Sequence, residues 1–495
     1  MITNRARLPG IVWMTVVLAA LRVACISVMA AENSLAQGDY TAWNHARTQW
    51  LLTNLSSAYR QSDHKDPKWD KLATNALASF ALLRGTESAG FDVEFLVRLL
   101  SRKALEAGSA DPMLEYLQAR AEDERVRGRT FDPNPVFPGL ADHLFSSGYP
   151  AICKLDAAIR AGSRTGVLTG AGVEIPAVMV RYRQKAMELF HEVLKDPTTP
   201  FLEVYDASRL LFNGLQGNDA AMEAAWKELE PALRRYSTNA VLLHVIKGRY
   251  YVASAWGLRS SPSAAKSCPE FVPRLRLAAA ELEAAWKLDS RWPEIAIQMM
   301  AVQNGLPADD KAMDLWFQRA MTADPYSYRA CQDRLTYLEP KWGGSEEKML
   351  AFARQCASST NWGGQVPLLM EKAHDSISKI WMMKDRPDYW KEVKCWDEIK
   401  AAFDRYYATF AQLKSTLPDA GSRSRLVRVA YRTRHYDEML ELIRGMKEMD
   451  YDLFGGEDQF RLAFRYANSK ARQPIRKEEF DPNRQPASRT PIRQP

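Results

Sequence analysis

The sequence predicts an all-α fold, a tetratricopeptide-like α-α superhelix of stacked antiparallel helix pairs. Three observations carry this reading. Between Glu270 and Ser359 a helical pattern recurs at a shift of 35 residues: Ala278, Leu282, Ala285 and Asp289, then Met313, Phe317, Ala320 and Asp324. Phe352 is the third equivalent of Leu282 and Phe317. Apolar residues at i, i+4 and i+7 closed by Asp mark the second helix of a unit whose usual period is about 34 residues. Glycine and Asp-Pro pairs punctuate the remaining apolar segments at helical lengths. No run of alternating β-branched residues reads as a strand.

Taken in order, residues 1–30 read as a signal peptide. Arg5 and Arg7 give a positive start, Ile11 to Leu21 is a mostly apolar run, and Val28-Met29-Ala30 suits cleavage. This places the chain outside the cytoplasm, secreted or periplasmic. The alternative is an inner-membrane anchor over residues 11–31, against which Arg22 stands, since a mid-membrane Arg costs roughly 2.5 kcal/mol. A lipid-modified Cys25 fits less well, with Arg22 three residues before it.

Residues 31–130 read as N-terminal helical hairpins. Gly38-Asp39-Tyr40 opens a helix through Tyr59, and Asp66-Pro67 opens one carrying Trp69, Leu72, Leu77 and Leu82 that stops at Gly85. Asp92 to Ala107, closed by Gly108, and Asp111-Pro112 to Arg127 form the next pair. Residues 131–175 read as a loop-rich insertion, because Pro133, Pro135, Pro138 and Pro150 interrupt Phe131, Phe137 and Phe145. Gly166, Gly170 and Gly172 lack the Gly-Lys-Ser/Thr of a phosphate loop.

Residues 176–413 read as tetratricopeptide-like repeats. Pro176 to Lys195 offers Val180, Ala186, Phe190 and Val193 to a core, and Phe201 to Leu215 pairs with Asp219 to Tyr236. Asn239 to Arg259 leads, through a short loop, into the 35-residue repeat. Gln365 to Met383 and Tyr389 to Leu413 follow as helices. Residues 414–471 hold the last helices, and 472–495, rich in Pro, Arg and Gln, read as a disordered basic tail.

The net charge of +7 is not a nucleic-acid footprint. Residues 1–30 and the tail hold most of it, leaving about +1 for the folded body. Membrane contact is expected only through an uncleaved signal. No Cys-x-x-Cys or His-Glu-x-x-His occurs, and no two of the seven His lie within five residues, so no metal or cofactor site is expected. His191 and His244 read as satisfied, partly buried imidazoles. No Gly-x-Ser-x-Gly elbow appears, and no catalytic residue is assigned. Five cysteines follow the signal, and Cys331 and Cys356, on neighbouring helices, are the pair expected to bridge in an oxidising compartment.

Pro340-Lys341-Trp342-Gly343-Gly344-Ser345 precedes an acidic helix start and Phe352-Ala353. Together with Ala255-Trp256-x-x-Arg259 and Ala323-Asp324-Pro325-Tyr326, these residues resemble a bacterial domain of unknown function, family four-zero-three-four. The resemblance spans residues 241–360 and departs from the family's pattern at Ser260, where members tend to have Gly. It implies tetratricopeptide-like helices and a secreted or membrane-associated location, and no reaction. Independently of it, Ser345 suits an N-cap, Gly343 and Gly344 a tight link, and Trp342 a packing anchor. Asn361-Trp362-Gly363-Gly364 repeats the arrangement.

The function expected is a protein–protein interaction scaffold whose concave face takes a protein or peptide. Tyr250, Tyr251, Trp256 and Arg259 are candidate contacts, with Lys341 and Trp342 beside them, because aromatics and Arg carry most interface energy. Two competitors stand beside it. One is an all-helical toroid enzyme acting on polysaccharide, which requires two carboxylates across the scissile bond. Glu228 with Glu230, and Asp309 with Asp310, are the closely spaced acids, and they read as solvated faces or caps. The other is a purely structural envelope component.

Overall fold

A computed structural model describes residues 39–85, 90–126, 136–163, 167–169, 172–174, 177–216, 218–237, 239–260, 268–412 and 419–475. The expected signal, residues 1–30, and all but residues 472–475 of the expected basic tail lie outside them. The fold is all-α, built of packed helix pairs. The helices are α1 Asp39–Gln61, α2 Asp70–Gly85, α3 Gly90–Glu106, α4 Pro112–Val126, α5 Val136–Phe145, α6 Ala151–Ser163 and α7 Ala177–Lys195. Next come α8 Phe201–Leu215, α9 Asp219–Tyr236, α10 Ala240–Ser260, α11 Phe271–Leu288, α12 Pro293–Gln303, α13 Asp310–Ala323, α14 Tyr328–Tyr337 and α15 Glu346–Ser358. The series ends with α16 Leu369–Met383, α17 Tyr389–Glu392, α18 Trp396–Gln412, α19 Ala420–Arg432, α20 Tyr436–Arg444 and α21 Glu457–Lys470. Among the described residues none of these helices is long and apolar enough to cross a membrane.

The chain divides into two compact units. The first comprises Met1–His374 and Asp404–Leu417, the second Asp375–Phe403 and Pro418–Pro495. Residues 375–403 thus group with the C-terminal helices, on the other side of the boundary expected at 413/414.

In the first unit the 35-residue shift has a direct physical basis. α11 and α12 recur as α13 and α14. Leu282 is fully buried, and Phe317 and Phe352 are nearly so, their rings 5.3 Å apart edge to face. Asp289 and Asp324 end α11 and α13 in the same way. Each leaves the helix in extended geometry while its N–H donates to the carbonyl four residues back, Ala285 or Ala320. Each carboxylate then accepts the N–H two residues on, Arg291 or Tyr326, at 2.9 and 3.0 Å. The repeated Asp thus stops one helix and aims the chain into the next.

The Pro-Lys-Trp-Gly-Gly-Ser stretch makes the turn into α15. Ser345 Oγ accepts the N–H of Lys348 at 3.2 Å, the capping bond its position predicts. Gly343 takes φ 87°, and a Cβ on Gly344 would lie 1.9 Å from the Leu338 carbonyl oxygen. The two glycines serve different needs, left-handed backbone in one and close approach in the other.

Several expectations are corrected. Residues 131–175 are not loop throughout, since α5 and α6 lie within them. Two of the prolines sit where helices begin, Pro138 in the first turn of α5 and Pro150 before α6, its carbonyl accepting the N–H of Cys153 at 3.0 Å, while Pro133 and Pro135 lie outside the described residues. Missing N–H groups cost nothing there. Between α6 and α7 a two-stranded antiparallel hairpin, β1 Val167–Thr169 and β2 Gly172–Glu174, replaces the expected glycine loop. Val180, expected in the core, is exposed, whereas Ala186, Phe190 and Val193 are buried. Cys331 and Cys356 are both buried and no disulfide joins them, with Cys331 Sγ 3.8 Å from Met321 Sδ. The stretch from Tyr389 to Leu413 is two helices, α17 and α18, rather than one.

The second unit has its own core of Leu426 and Val427 from α19, Leu440 and Ile443 from α20, and Phe460 from α21. The Trp396 ring stacks on His435 at 5.0 Å. The backbone N–H of Asp450 donates to Ser424 Oγ at 2.9 Å.

Candidate functional site

The first unit contains a cavity of about 410 Å³ into which six arginines turn: Arg47, Arg84, Arg120, Arg209, Arg249 and Arg329. Three acids share its lining, Asp206, Glu294 and Asp324. The helices that build it lie far apart in sequence. α8 supplies the central stripe, with Leu202, Tyr205, Asp206, Arg209 and Asn213 spaced at three and four residues so that they share one face. α1 brings Tyr40, Asn44 and Arg47 at the same spacing, and α2 brings Phe80 and Arg84. The remaining walls come from Arg249 on α10, Trp292 and Glu294 at the start of α12, Tyr326 after α13, and Arg329 on α14.

Close packing fixes the geometry. A Cβ on Gly85, which ends α2, would overlap Thr48 Oγ1 of α1, so only glycine permits this approach. The contact brings Arg84 and Arg47 to the same carboxylate. Glu203 is fully buried beneath the lining and accepts from Arg47 Nε and from Arg84 Nη2, the latter at 2.6 Å. Asp206, one turn on, accepts from Arg47, from Arg209 Nε at 3.0 Å and from Arg84 Nη2 at 3.4 Å. Burial raises the Asp206 pKa, but Arg47, Arg209 and Arg84 outweigh it and hold the carboxyl well below its usual range. For Arg47, burial disfavours the cation, and Asp206 and Glu203 more than reverse this. Both groups are therefore charged at neutral pH.

A second network lies beside it. Glu294 accepts from Arg329 Nη1 at 2.8 Å, from Gln298 Nε2 at 2.6 Å and from the Tyr205 hydroxyl. Arg249 differs from its neighbours. Its two Nη groups donate to amide oxygens, Gln298 Oε1 at 3.2 Å and Asn213 Oδ1, and no carboxylate pairs with it. Its Nε is buried without a partner. Desolvation lowers its pKa and outweighs the nearby Glu294 charge, which raises it, because no carboxylate bonds the guanidinium directly. Asp333, one turn beyond Arg329 on α14, makes no ion pair, and burial pushes its pKa up to about 6, against Arg329, which lowers it.

The aromatic wall is locked. Trp292 meets Phe201 and Tyr205 edge to face at 5.3 and 5.2 Å, and Phe201 meets Trp43 at 5.0 Å. The side chains on the cavity are thus held before any ligand arrives.

The residues singled out in the sequence lie elsewhere in this unit and do not form one site. Tyr250 stacks on Trp226 at 4.9 Å and tilts against Tyr251. Trp256 meets Phe271 and Trp342 edge to face at 5.3 and 5.8 Å. Arg259 is exposed over the Phe271 ring, 4.5 Å from its centre. Lys341, also exposed, pairs with Glu339 at 2.6 Å. The structure therefore brings Trp256, Arg259 and Trp342 together and leaves Tyr250 and Tyr251 in a separate cluster. Each imidazole of His191 and His244 faces an acid on a neighbouring helix, Glu228 at 2.9 Å and Glu281 at 2.7 Å. No cluster of metal-binding side chains occurs among the described residues.

Sequence reading missed the arginine cavity, though one signal points to it. α8 has apolar residues beyond a single stripe, and Leu202, Val204, Leu211, Phe212 and Leu215 are buried, so Glu203 between them is buried with them. No protein-family model, curated protein or solved structure matches the chain.

Proposed function

We propose that the chain is a secreted or periplasmic binding scaffold that takes a segment of a partner polypeptide in the arginine-lined cavity of its first unit. The observation that carries this reading is the cavity itself, about 410 Å³ and walled by side chains from helices separated by many turns of sequence. Buried ion pairs stabilise a fold little more than well-packed apolar side chains do, and often less. Charges retained in such number around an open volume are therefore explained better by a ligand than by folding alone. Stacked helix pairs use such inner surfaces for partners. The export of the chain rests on residues 1–30 and their resemblance to a signal peptide.

A photo-crosslinking amino acid placed at Ala323, on the cavity lining, tests the proposal against one at exposed Leu277 on α11. Discrete polypeptide adducts from position 323 and none from 277 are expected. Equal labelling from both, or none from 323 in the native envelope, would overturn it.

A second reading, an enzyme acting on polysaccharide, is favoured by one observation: Asp333 is held near pKa 6 by burial, in the range a general acid uses. Against it, Asp333 does not line the cavity, and Glu203, Asp206 and Glu294 are all engaged by arginines. Glycan turnover that disappears in Asp333→Asn would establish this reading instead.

A further inference from the structure

We propose that the group seated in the cavity is an oxyanion, a carboxylate or a phosphorylated side chain of the partner segment, and that Arg249 is its principal counter-charge. The inference rests on the binding reading above and names the chemistry of the ligand.

Three features support it. The lining carries six guanidinium groups against three carboxylates, and with Glu203 and Asp156, which pair with Arg47 and Arg120 from behind it, one guanidinium stays in excess. Arg249 lines the cavity with less than a tenth of its surface exposed, and holds two amide oxygens where its neighbours hold carboxylates. A buried guanidinium that bonds no carboxylate and keeps its Nε unpartnered is an arrangement that a bound oxyanion completes, because the charge-assisted bond formed then offsets desolvation already incurred. Guanidinium groups are suited to this work, since each presents a planar fork of donors that matches two oxygens of one carboxylate or phosphate. Trp292, Phe80 and Tyr326 provide apolar surface beside the cations, which suits an anionic side chain on a polypeptide better than a bare ion.

The test uses the full chain and three fluorescein-labelled peptides that differ only at their central residues: glutamate, phosphoserine or glutamine. Binding is read by fluorescence anisotropy. The glutamate or the phosphoserine peptide is expected to bind at least tenfold more tightly than the glutamine peptide, and whichever does so identifies the oxyanion. Raising the salt should weaken that binding progressively. Arg249→Met should remove at least a factor of about ten, while Arg249→Lys, which keeps the charge, should retain part of the affinity. Equal binding of all three peptides, unchanged affinity in Arg249→Met, or no binding of any peptide would each overturn the assignment. The salt titration of the unaltered chain decides the matter even if Arg249→Met does not fold. Failure here leaves the crosslinking result at position 323 intact, and that result alone decides whether the cavity takes a polypeptide.

Discussion

The Arg47 guanidinium on α1 is held by the Glu203 carboxylate on α8, 156 residues further along the chain. The pair ties the first described helix to the middle of the first unit, and Arg84 of α2 closes on the same carboxylate. Removing the acid would leave two buried cations sharing Asp206 alone. Glu203→Gln is therefore expected to destabilise the first unit by about 3–5 kcal/mol, measured as a lowered urea midpoint. A midpoint within error of the unaltered chain would mean the pair does not bind these helices together.

Asp206 gives the acid limit. Its folded pKa lies below the ordinary value near 3.9 because three arginines favour its charge. Its contribution is thus present above that ordinary value and is lost as pH falls toward the folded one. Thermal midpoints should hold steady from neutral pH down to about 5 and fall below about 4. In Asp206→Asn the midpoint should start lower and decline less steeply.

Asp333 runs the other way. A carboxyl pushed up to about 6 contributes stability fully present below its unfolded pKa, and loses it as pH rises through about 6. At neutral pH the ionised group is a burden. Asp333→Asn should raise stability by about 1–3 kcal/mol at pH 8, with the gain disappearing near pH 4. A gain independent of pH would show that the residue acts through packing rather than charge.

The two glycines before α15 separate strain from collision. Gly343→Ala must hold an L-residue at φ 87°, which costs about 1–2 kcal/mol. Gly344→Ala drives a methyl into the Leu338 carbonyl and should cost more, at least ~2 kcal/mol, because backbone rather than a flexible side chain must move. The order of the two melting temperatures checks this directly.

Helices and their ends were legible because they are written locally. Ser345 caps three residues from the N–H it accepts, and Asp289 and Asp324 act within two residues of themselves. The repeat was legible because its apolar face must recur wherever the same packing recurs. The cavity was not, for a physical reason. Arg47, Arg84, Glu203 and Asp206 are joined across 119 to 159 residues, and charged side chains spaced at three and four on a helix look the same in sequence whether they face water or each other. The aromatic pattern around Trp256 was visible, yet its rings are largely engaged with one another. Prolines near residue 140 misled because Pro marks the first turn of a helix as readily as a loop.

Amide hydrogen exchange of the full chain, with and without a saturating glutamate peptide, tests most directly where the chain binds. Slowed exchange is expected in residues 40–47 of α1, 202–213 of α8 and 323–329 around the start of α14, the backbone that carries the cavity lining. Protection confined to residues 250–259 and 341–345, or no change anywhere, would contradict the arginine cavity as the binding site.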